Sequence, residues 1–352
     1  MKQRYYSLNK IKKEKAQYNL LLGERANGKS YSVKELVLTS AFNSNEEFIY
    51  LRRFELELKP NLIESYFSDS PVSAITGGEY NCISVYRKNI YFANVDDNGK
   101  ITRGKRIGYA IHLSGAEHYK STQYPKVTNL IFEEFITESM YLQNEVVVLM
   151  NLVSTVFRNR TGQCWLVGNT ISRLCPYFSE WELRGIPKQK QGTIDIYNHT
   201  TLDGNVIKIA VEYCESANNK NTMFFGRTEK QIVTGAWECS EHPHLNKPLD
   251  NYDVLYKVPY HYTDFKFMLN VLRDKQSKDM LLYIYPYTKD LDKFKHYISN
   301  AFSENNLVTE NLCQDIKGDK VCLYLLNRNK VVFSDNLTGS DFTQIVKQKG
   351  GA

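Results

Sequence analysis

The sequence predicts an α/β protein: a three-layer domain on a mainly parallel sheet, followed by a linker and a smaller α+β domain. Three observations carry this expectation. The apolar run "YNLLLG" runs into a glycine-containing loop and then a helical segment. Strand-like and helix-like runs alternate from there to about residue 195, the pattern of parallel strands joined by crossover helices. Beyond that point short strands are separated by polar loops, which reads as a linker and a second unit. The expected boundaries are 1–197, 198–248 and 249–352.

At 352 residues the chain has room for two domains. With 42% hydrophobic and 24% charged residues it can bury a large core, and its net charge of +6 permits a nucleic-acid partner without requiring one. Part of that charge lies in "MKQRYYSLNKIKKEK", where Lys12, Lys13 and Lys15 read as a solvated arm, with phosphate contact as the alternative. No run reaches the ~18 apolar residues of a membrane span and there is no signal-peptide core, so a cytosolic protein without a membrane partner is expected. The seven cysteines (Cys82, Cys164, Cys175, Cys214, Cys239, Cys313, Cys322) form no C-x-x-C pair, which fits reduced thiols. His242 and His244 near Cys239 read as a proline-interrupted loop rather than a metal site.

The first strand ends at Gly23, and Gly23-x-x-x-x-Gly28-Lys29-Ser30 is the phosphate-binding loop spacing. Glycines let the backbone wrap an anion, and the N–H groups opening the next helix point at it. Gly23, Glu24, Arg25, Ala26, Asn27, Gly28, Lys29, Ser30 and Tyr31 are the candidate nucleotide-binding residues, with ATP and Mg²⁺ as the expected ligands. Lys29 supplies a point charge for the β/γ-phosphates, and the Ser30 hydroxyl is placed to hold the metal. "SYSVKELVLTSAF" is the helix after the loop.

"EEFIYLRRF" reads as a buried strand ending in two arginines, and the segment from Asn81 to Ser114 as meandering β-structure with a turn at Asp97-Asn98-Gly99. "VTNLIFEEFI" is another buried strand. Its Glu133 and Glu134 are costly neighbours unless a cation or solvent relieves them, and beside a phosphate loop they take roles. Glu133 is assigned to Mg²⁺, through water, and Glu134 to activating the attacking water. "NEVVVLMNLVSTVFRNRTG" reads as a helix capped by Asn144. Arg158 and Arg160 at its end are candidates to stabilise γ-phosphate charge from a neighbouring subunit. Asn169, beyond the strand "CWLVG", is a candidate γ-phosphate sensor. In the last third, "YDVLYKVPYHY", "DFKFMLNVLRD" and "KDMLLYIYPY" read as successive antiparallel strands, "KDLDKFKHYISNAFSEN" as a helix, and "KVCLYLLNRNKVVFSD" as a pair of strands.

Taken in order, "LLLGERANGKSY", "EEFIYLRRF", "YPKVTNLIFEEFI", "NEVVVLMNLVSTVFRNR", "CWLVGNTISRLCPYF" and "FFGR" resemble the genome-packaging ATPases of phi29-type tailed phages, over roughly residues 15–230. These are additional-strand, catalytic-glutamate (ASCE) P-loop motors. The resemblance implies ATP hydrolysis that drives double-stranded DNA into a viral procapsid, by a homo-oligomeric ring, five-fold in the family, docked on the portal in the host cytoplasm. A scaffold RNA is a further implied partner. It makes Gly23–Ser30 the Walker A loop, Glu133–Glu134 the Walker B pair, Arg158 the trans-acting finger and Lys120 a second trans-acting candidate. One departure is that the family commonly has Asp-Glu where this chain has Glu133-Glu134, so the longer side chain must reach Mg²⁺ by another rotamer or through water. The resemblance also implies a C-terminal relic of an RNase H-like nuclease. Asp274, Asp279 and Asp290 fall at strand or turn edges rather than mid-strand, and no nuclease activity is expected.

Lys100, Arg103, Lys105 and Arg106 in "GKITRGKR" form the densest basic loop of the first domain and are the candidate DNA contacts, equally readable as a solvated hairpin. A ring helicase, or a non-hydrolysing portal-adaptor or nucleic-acid-binding protein, are the competing functions.

Overall fold

The computed structural model describes residues 6–137, 140–158, 160–215, 240–263, 265–291, 293–299 and 306–348. The chain forms two compact units; the first runs to Ile171 and resumes at Gly185, and the second holds Ser172–Arg184 with the C-terminal part of the chain.

The strands of the first unit are β1 (Tyr18–Gly23), β2 (Glu47–Arg52), β3 (Cys82–Tyr86), β4 (Asn89–Val95), β5 (Ile101–His112), β6 (Val127–Glu133), β7 (Gln163–Asn169), β8 (Ile194–Thr200) and β9 (Val206–Tyr213). They form one sheet in the order β3-β4-β5-β2-β6-β7-β1-β9-β8. From β5 to β9 along this order every neighbouring pair is parallel, while β3, β4 and β8 add antiparallel edges. The central strands are apolar on both faces, as strands covered by helices on either side must be. Leu20, Leu21 and Leu22 are all fully buried.

The helices of this unit are α1 (Lys29–Asn43), α2 (Pro60–Phe67), α3 (Val72–Ile75) and α4 (Glu145–Phe157). Val33, Val37 and Leu38 of α1 share a core with Leu21, Phe48, Tyr50, Ile131 and Trp165 of the sheet. Strand residues alternate faces, so Phe132 points the other way, toward Arg53 and through it α4. The three layers are those expected from the sequence. Asn144, expected to cap α4, has φ 52° and its side chain makes no cap bond. Glu145 acts at that end instead, accepting from the Leu142 N–H at 2.8 Å.

Two further expectations are corrected. Residues 198–213 belong to the sheet and not to a linker: "HTTLDGN" is the turn of the β8–β9 hairpin, and β9 carries a buried run from Ile209 to Tyr213 beside β1. Among its described residues the N-terminal arm is packed in part rather than wholly solvated: Leu8 and Ile11 are buried, while Ser7, Asn9, Lys10, Lys12, Lys13 and Lys15 are exposed. Residues 216–239, including "FFGR" and Cys239, lie outside the described residues. Among the described residues no helix is long and apolar enough to cross a membrane.

The second unit contains α5 (Pro176–Glu180), β10 (Tyr252–Tyr262), β11 (Phe265–Asp274), β12 (Met280–Pro286), β13 (His296–Ser299), β14 (Leu307–Thr309), α6 (Lys317–Asn327), β15 (Val331–Phe333) and α7 (Asn336–Gln348). Its sheet runs β14-β13-β10-β11-β12-β15, with the expected antiparallel β10–β11–β12 meander at its centre. The segment read as a helix from Lys289 holds β13, whose Tyr297 and Ile298 are buried. The first strand read in "KVCLYLLNRNKVVFSD" is helix α6. Its buried residues, Asp319, Cys322 and Leu325, recur at the helical spacing.

Asp274 ends β11 and closes the turn to β12: its carboxylate accepts from Lys247 Nζ at 2.8 Å and from the Gln276 and Ser277 N–H groups. These bonds, led by Lys247, lower its pKa from 3.8 to about 2. A depressed carboxylate pKa adds stability that is complete above the unfolded value and disappears as pH falls through the folded one. The acid-induced loss of stability between pH 3.8 and about 2 is therefore expected to flatten in Asp274→Asn, with a lower melting temperature at neutral pH, as read by thermal denaturation across pH.

Candidate nucleotide site

The site grows from β1 and its two neighbours on one side. β7 lies between β1 and β6, pairing Gly23 with Asn169 and Val167 with Glu133. Strands lie about 4.8 Å apart, so one inserted strand sets the loop after β1 and the carboxylates after β6 roughly 10 Å from each other. A cleft of about 730 Å³ occupies that gap, lined by residues 25–31, Lys34, Asp69, Glu133, Glu134 and Val167 to Asn169. The sequence-predicted loop, carboxylates and sensor are thus brought together.

The loop is held in shape by its own side chains. Gly28 has φ 96°, a backbone region that side chains resist, and it begins α1. Asn27, buried, accepts from the Lys29 N–H at 3.2 Å. The Lys29 ammonium donates to the Glu24 carbonyl, to Asn27 Oδ1 at 3.3 Å and to Asn169 Oδ1 at 3.4 Å. Burial lowers the Lys29 pKa, opposed by the nearby Cys214, Glu133 and Glu24. The N-terminal arm braces the loop from behind. The Tyr6 N–H donates to the Asn27 carbonyl at 3.0 Å, and the Ser32 hydroxyl of α1 donates to the Tyr6 carbonyl at 2.6 Å.

The strand β6 stops between its two acids, and this separates them. Glu133 is the last strand residue and is buried; Glu134 has φ 55° and a side chain 62% exposed. Holding a non-glycine residue at that φ costs about 1–2 kcal/mol. Burial raises the Glu133 pKa, and hydrogen bonds from Tyr66 and Ser30 oppose the shift. A hydroxyl and a single carboxylate side by side suit Mg²⁺, whose shell is completed by water and phosphate oxygens. The structure therefore fits Ser30 and Glu133 as the metal's protein ligands.

Arginines that the sequence reading left without a role surround Glu134. Arg52 Nη2 donates to Glu134 Oε2 at 2.7 Å while also binding Glu57. Arg53 is buried and bidentate to Glu145 at 2.8 and 3.0 Å, and it also binds the carbonyls of Glu134 and Phe135. A signal existed: two arginines ending a buried strand need acidic partners.

The remaining candidates lie away from the cleft lining. Arg158 caps α4 with φ 51°, exposed, and among the described residues its guanidinium makes long bonds to the Thr155 and Thr122 carbonyls, at 3.4 and 3.5 Å. Arg160 instead donates to the carbonyls of Tyr124, Pro125, Val127 and Val156, at 2.7–3.0 Å. These bonds staple the end of α4 to the start of β6 and leave little to offer a neighbour. Lys120 is exposed and paired with Glu117. In the basic hairpin, Arg103 binds Ser84 and lies over the Tyr86 ring, Lys105 donates to the Ala41 carbonyl, and Arg106 pairs with Glu47. Lys100 is exposed at the β4–β5 turn.

Fold and site together define a P-loop protein of the additional-strand class, with β7 as the inserted strand. Residues 1–229 match the family model of the podovirus DNA encapsidation protein (Gp16), and the chain belongs to that family. Over 164 residues, 46% of its length, it is 39% identical to the DNA packaging protein of Bacillus phage B103 and 37% identical to that of Bacillus phage phi29. The aligned stretch covers 46% and 45% of those proteins, so the chain spans about half the length of the curated relatives it matches. The fold is similar to that in the bacteriophage Phi-29 viral genome packaging motor assembly, with a TM-score of 0.58 at 22% identity over 98% of this chain and 99% of that one. The Phi-28 gp11 DNA packaging motor gives 0.52 at 21% identity over 99% of both chains.

Removing one partner of a buried ion pair leaves the other uncompensated. Glu145→Ala, which strands Arg53, is expected to lower unfolding stability by about 3–5 kcal/mol, measured by denaturant titration.

Proposed function

We propose that this protein is a genome-packaging motor ATPase that hydrolyses ATP to translocate double-stranded DNA into a viral procapsid. The observation that carries the reading is the placement of the exposed Glu134 carboxylate in the same cleft as Lys29 and Ser30, one inserted strand away from the loop. The relatives described as DNA packaging proteins supply the direction of the chemistry.

In this mechanism the loop N–H groups and Lys29 hold the β- and γ-phosphates, and Asn169 reads the γ-phosphate from the end of β7. Ser30 and Glu133 would hold Mg²⁺, which when bound neutralises charge on the β/γ-phosphate oxygens. Glu134 orients a water and takes its proton. The water oxygen bonds to the γ-phosphorus as the bond to the β–γ bridging oxygen breaks, releasing ADP and phosphate. Arg52, bound to Glu134 at 2.7 Å, sets where that carboxylate rests.

Arg158 is the residue offered to a neighbouring copy in a homo-oligomeric ring, five-fold by family resemblance, docked on the portal in the host cytoplasm. Its loosely held guanidinium supports that assignment over Arg160. DNA is gripped through phosphates rather than bases. The basic hairpin remains the proposed contact, with Lys100 as its member at the turn. A scaffold RNA and the portal are further proposed partners, and the second unit is their proposed docking site.

Glu134→Gln is expected to reduce DNA-stimulated ATPase activity by about 10²–10⁴-fold, the usual scale of a lost general base; an unchanged rate would overturn the catalytic assignment and favour a non-hydrolysing adaptor. Wild-type activity per subunit should rise with protein concentration as the ring assembles. Arg158→Ala should abolish that rise and cost about 10³–10⁵-fold at high concentration. The rate of phosphate release against protein concentration measures both.

A further inference from the structure

Glu133 has a donor that no sequence motif announces. Tyr66, near the end of α2, places its hydroxyl 2.6 Å from Glu133 Oε1 and donates to it. The phenol is fixed on several sides. Its ring centroid lies 4.7 Å from that of Tyr50 and 4.9 Å from that of Phe67, which it meets edge-on. Lys34 Nζ stands 4.6 Å from the ring centroid and donates to the Tyr66 carbonyl at 2.6 Å. The helix itself is tied to the sheet at a second point, where Glu64 Oε1 accepts from the Val85 N–H at 2.8 Å. Tyr66 is therefore a rigid post beside the carboxylate. Facing a carboxylate oxygen at that distance, the phenol is the donor of the pair.

A glutamate at this position has one more rotatable bond than the aspartate common in the family. That freedom has to be removed before the carboxylate can serve a small, geometrically strict cation. A carboxylate offers about four lone-pair sites on two oxygens, so one bond from Tyr66 restrains the group and leaves sites open on the side of Ser30. We propose that Tyr66 is a positioning residue for the metal site: its hydroxyl holds the Glu133 carboxylate toward Ser30, and so sets how tightly Mg²⁺ joins the bound nucleotide. The proposal rests on the nucleotide-binding reading of the cleft and extends it to a residue outside every recognisable motif.

The test compares binding of a fluorescent N-methylanthraniloyl derivative of ADP in Mg²⁺ and in EDTA. In the wild type Mg²⁺ tightens binding. In Tyr66→Phe that tightening is expected to shrink about tenfold, the scale of one lost hydrogen bond to a charged group, while affinity in EDTA stays unchanged. In a Glu133→Gln background Tyr66→Phe should make no further difference, because the two act through one contact. Tightening equal to wild type in Tyr66→Phe overturns the proposal. Equal loss of affinity with and without Mg²⁺ overturns it too, since it marks mere support of the fold. If the wild-type protein does not bind the probe, or binds it without regard to Mg²⁺, the nucleotide-site reading itself falls and takes the proposal with it.

Discussion

The buried guanidinium of Arg53 is the fixed point around which the carboxylate half of the cleft is arranged. It leaves the end of β2, pairs with Glu145 at the first turn of α4, and binds the carbonyls of Glu134 and Phe135 after β6. Three elements distant in sequence are thereby tied to one planar, always-charged group. The arrangement settles two problems at once. A buried arginine needs a full set of acceptors, and the chain after β6 needs an external hold because Glu134 sits at a φ that side chains resist. The carbonyl contacts impose the strained turn, and the turn projects Glu134 into the cleft instead of continuing the strand. Local strain of this kind persists only where its surroundings over-determine it.

That turn also explains how adjacent carboxylates come to sit in one cleft in different environments. In an uninterrupted strand Glu133 and Glu134 would point to opposite faces, and only one would reach the cleft. With the strand broken between them both line it, in opposite environments. Glu133 is buried, raised in pKa by that burial, and restrained by hydroxyls from Tyr66 and Ser30. Glu134 is mostly exposed and answered by a charge, Arg52. One is suited to share a cation, the other to meet water. Contrasting environments for neighbouring titratable groups are how one site runs two roles.

Much of the first unit was legible because its physics is local. The buried strand before Gly23, the loop spacing, the strand ending in Glu133 and the 3.6-residue apolar repeat of α4 each depend on neighbours in sequence. What could not be read depends on partners that sequence distance hides. Nothing in "NLIESYF" points to a bond between Tyr66 and a residue 67 positions away. Arg52 and Arg53 stood out only as an expense at a strand end. Strand β9 was lost among polar loops because its buried stretch is short and one side of it faces β8, an edge strand with half-exposed residues. In the second unit Asp319, Cys322 and Leu325 mark α6 by their spacing. The short apolar run "VCLYLL" reads as a strand when that period is ignored.

Three of the cations in and beside the cleft bear on the proposed triphosphate. Lys34 is paired with Asp69 and held by the Tyr66 carbonyl, so it serves the wall. Arg52 restrains Glu134. Lys29 is different. It is buried, its pKa is pulled down by that burial, and its ammonium is met mainly by neutral oxygens of Glu24, Asn27 and Asn169. Carbonyl dipoles satisfy its hydrogens, and the nearby Glu133 and Glu24 offset its charge only in part, since burial still lowers its pKa. A polyanion at the mouth of the loop would supply the missing charge where solvent is excluded and an ion contact is strongest. The same backbone turn that exposes N–H groups to phosphate thus keeps the lysine desolvated until a phosphate arrives. On the proposed nucleotide reading, preference for a multiply charged ligand comes from that burial as well as from the lysine.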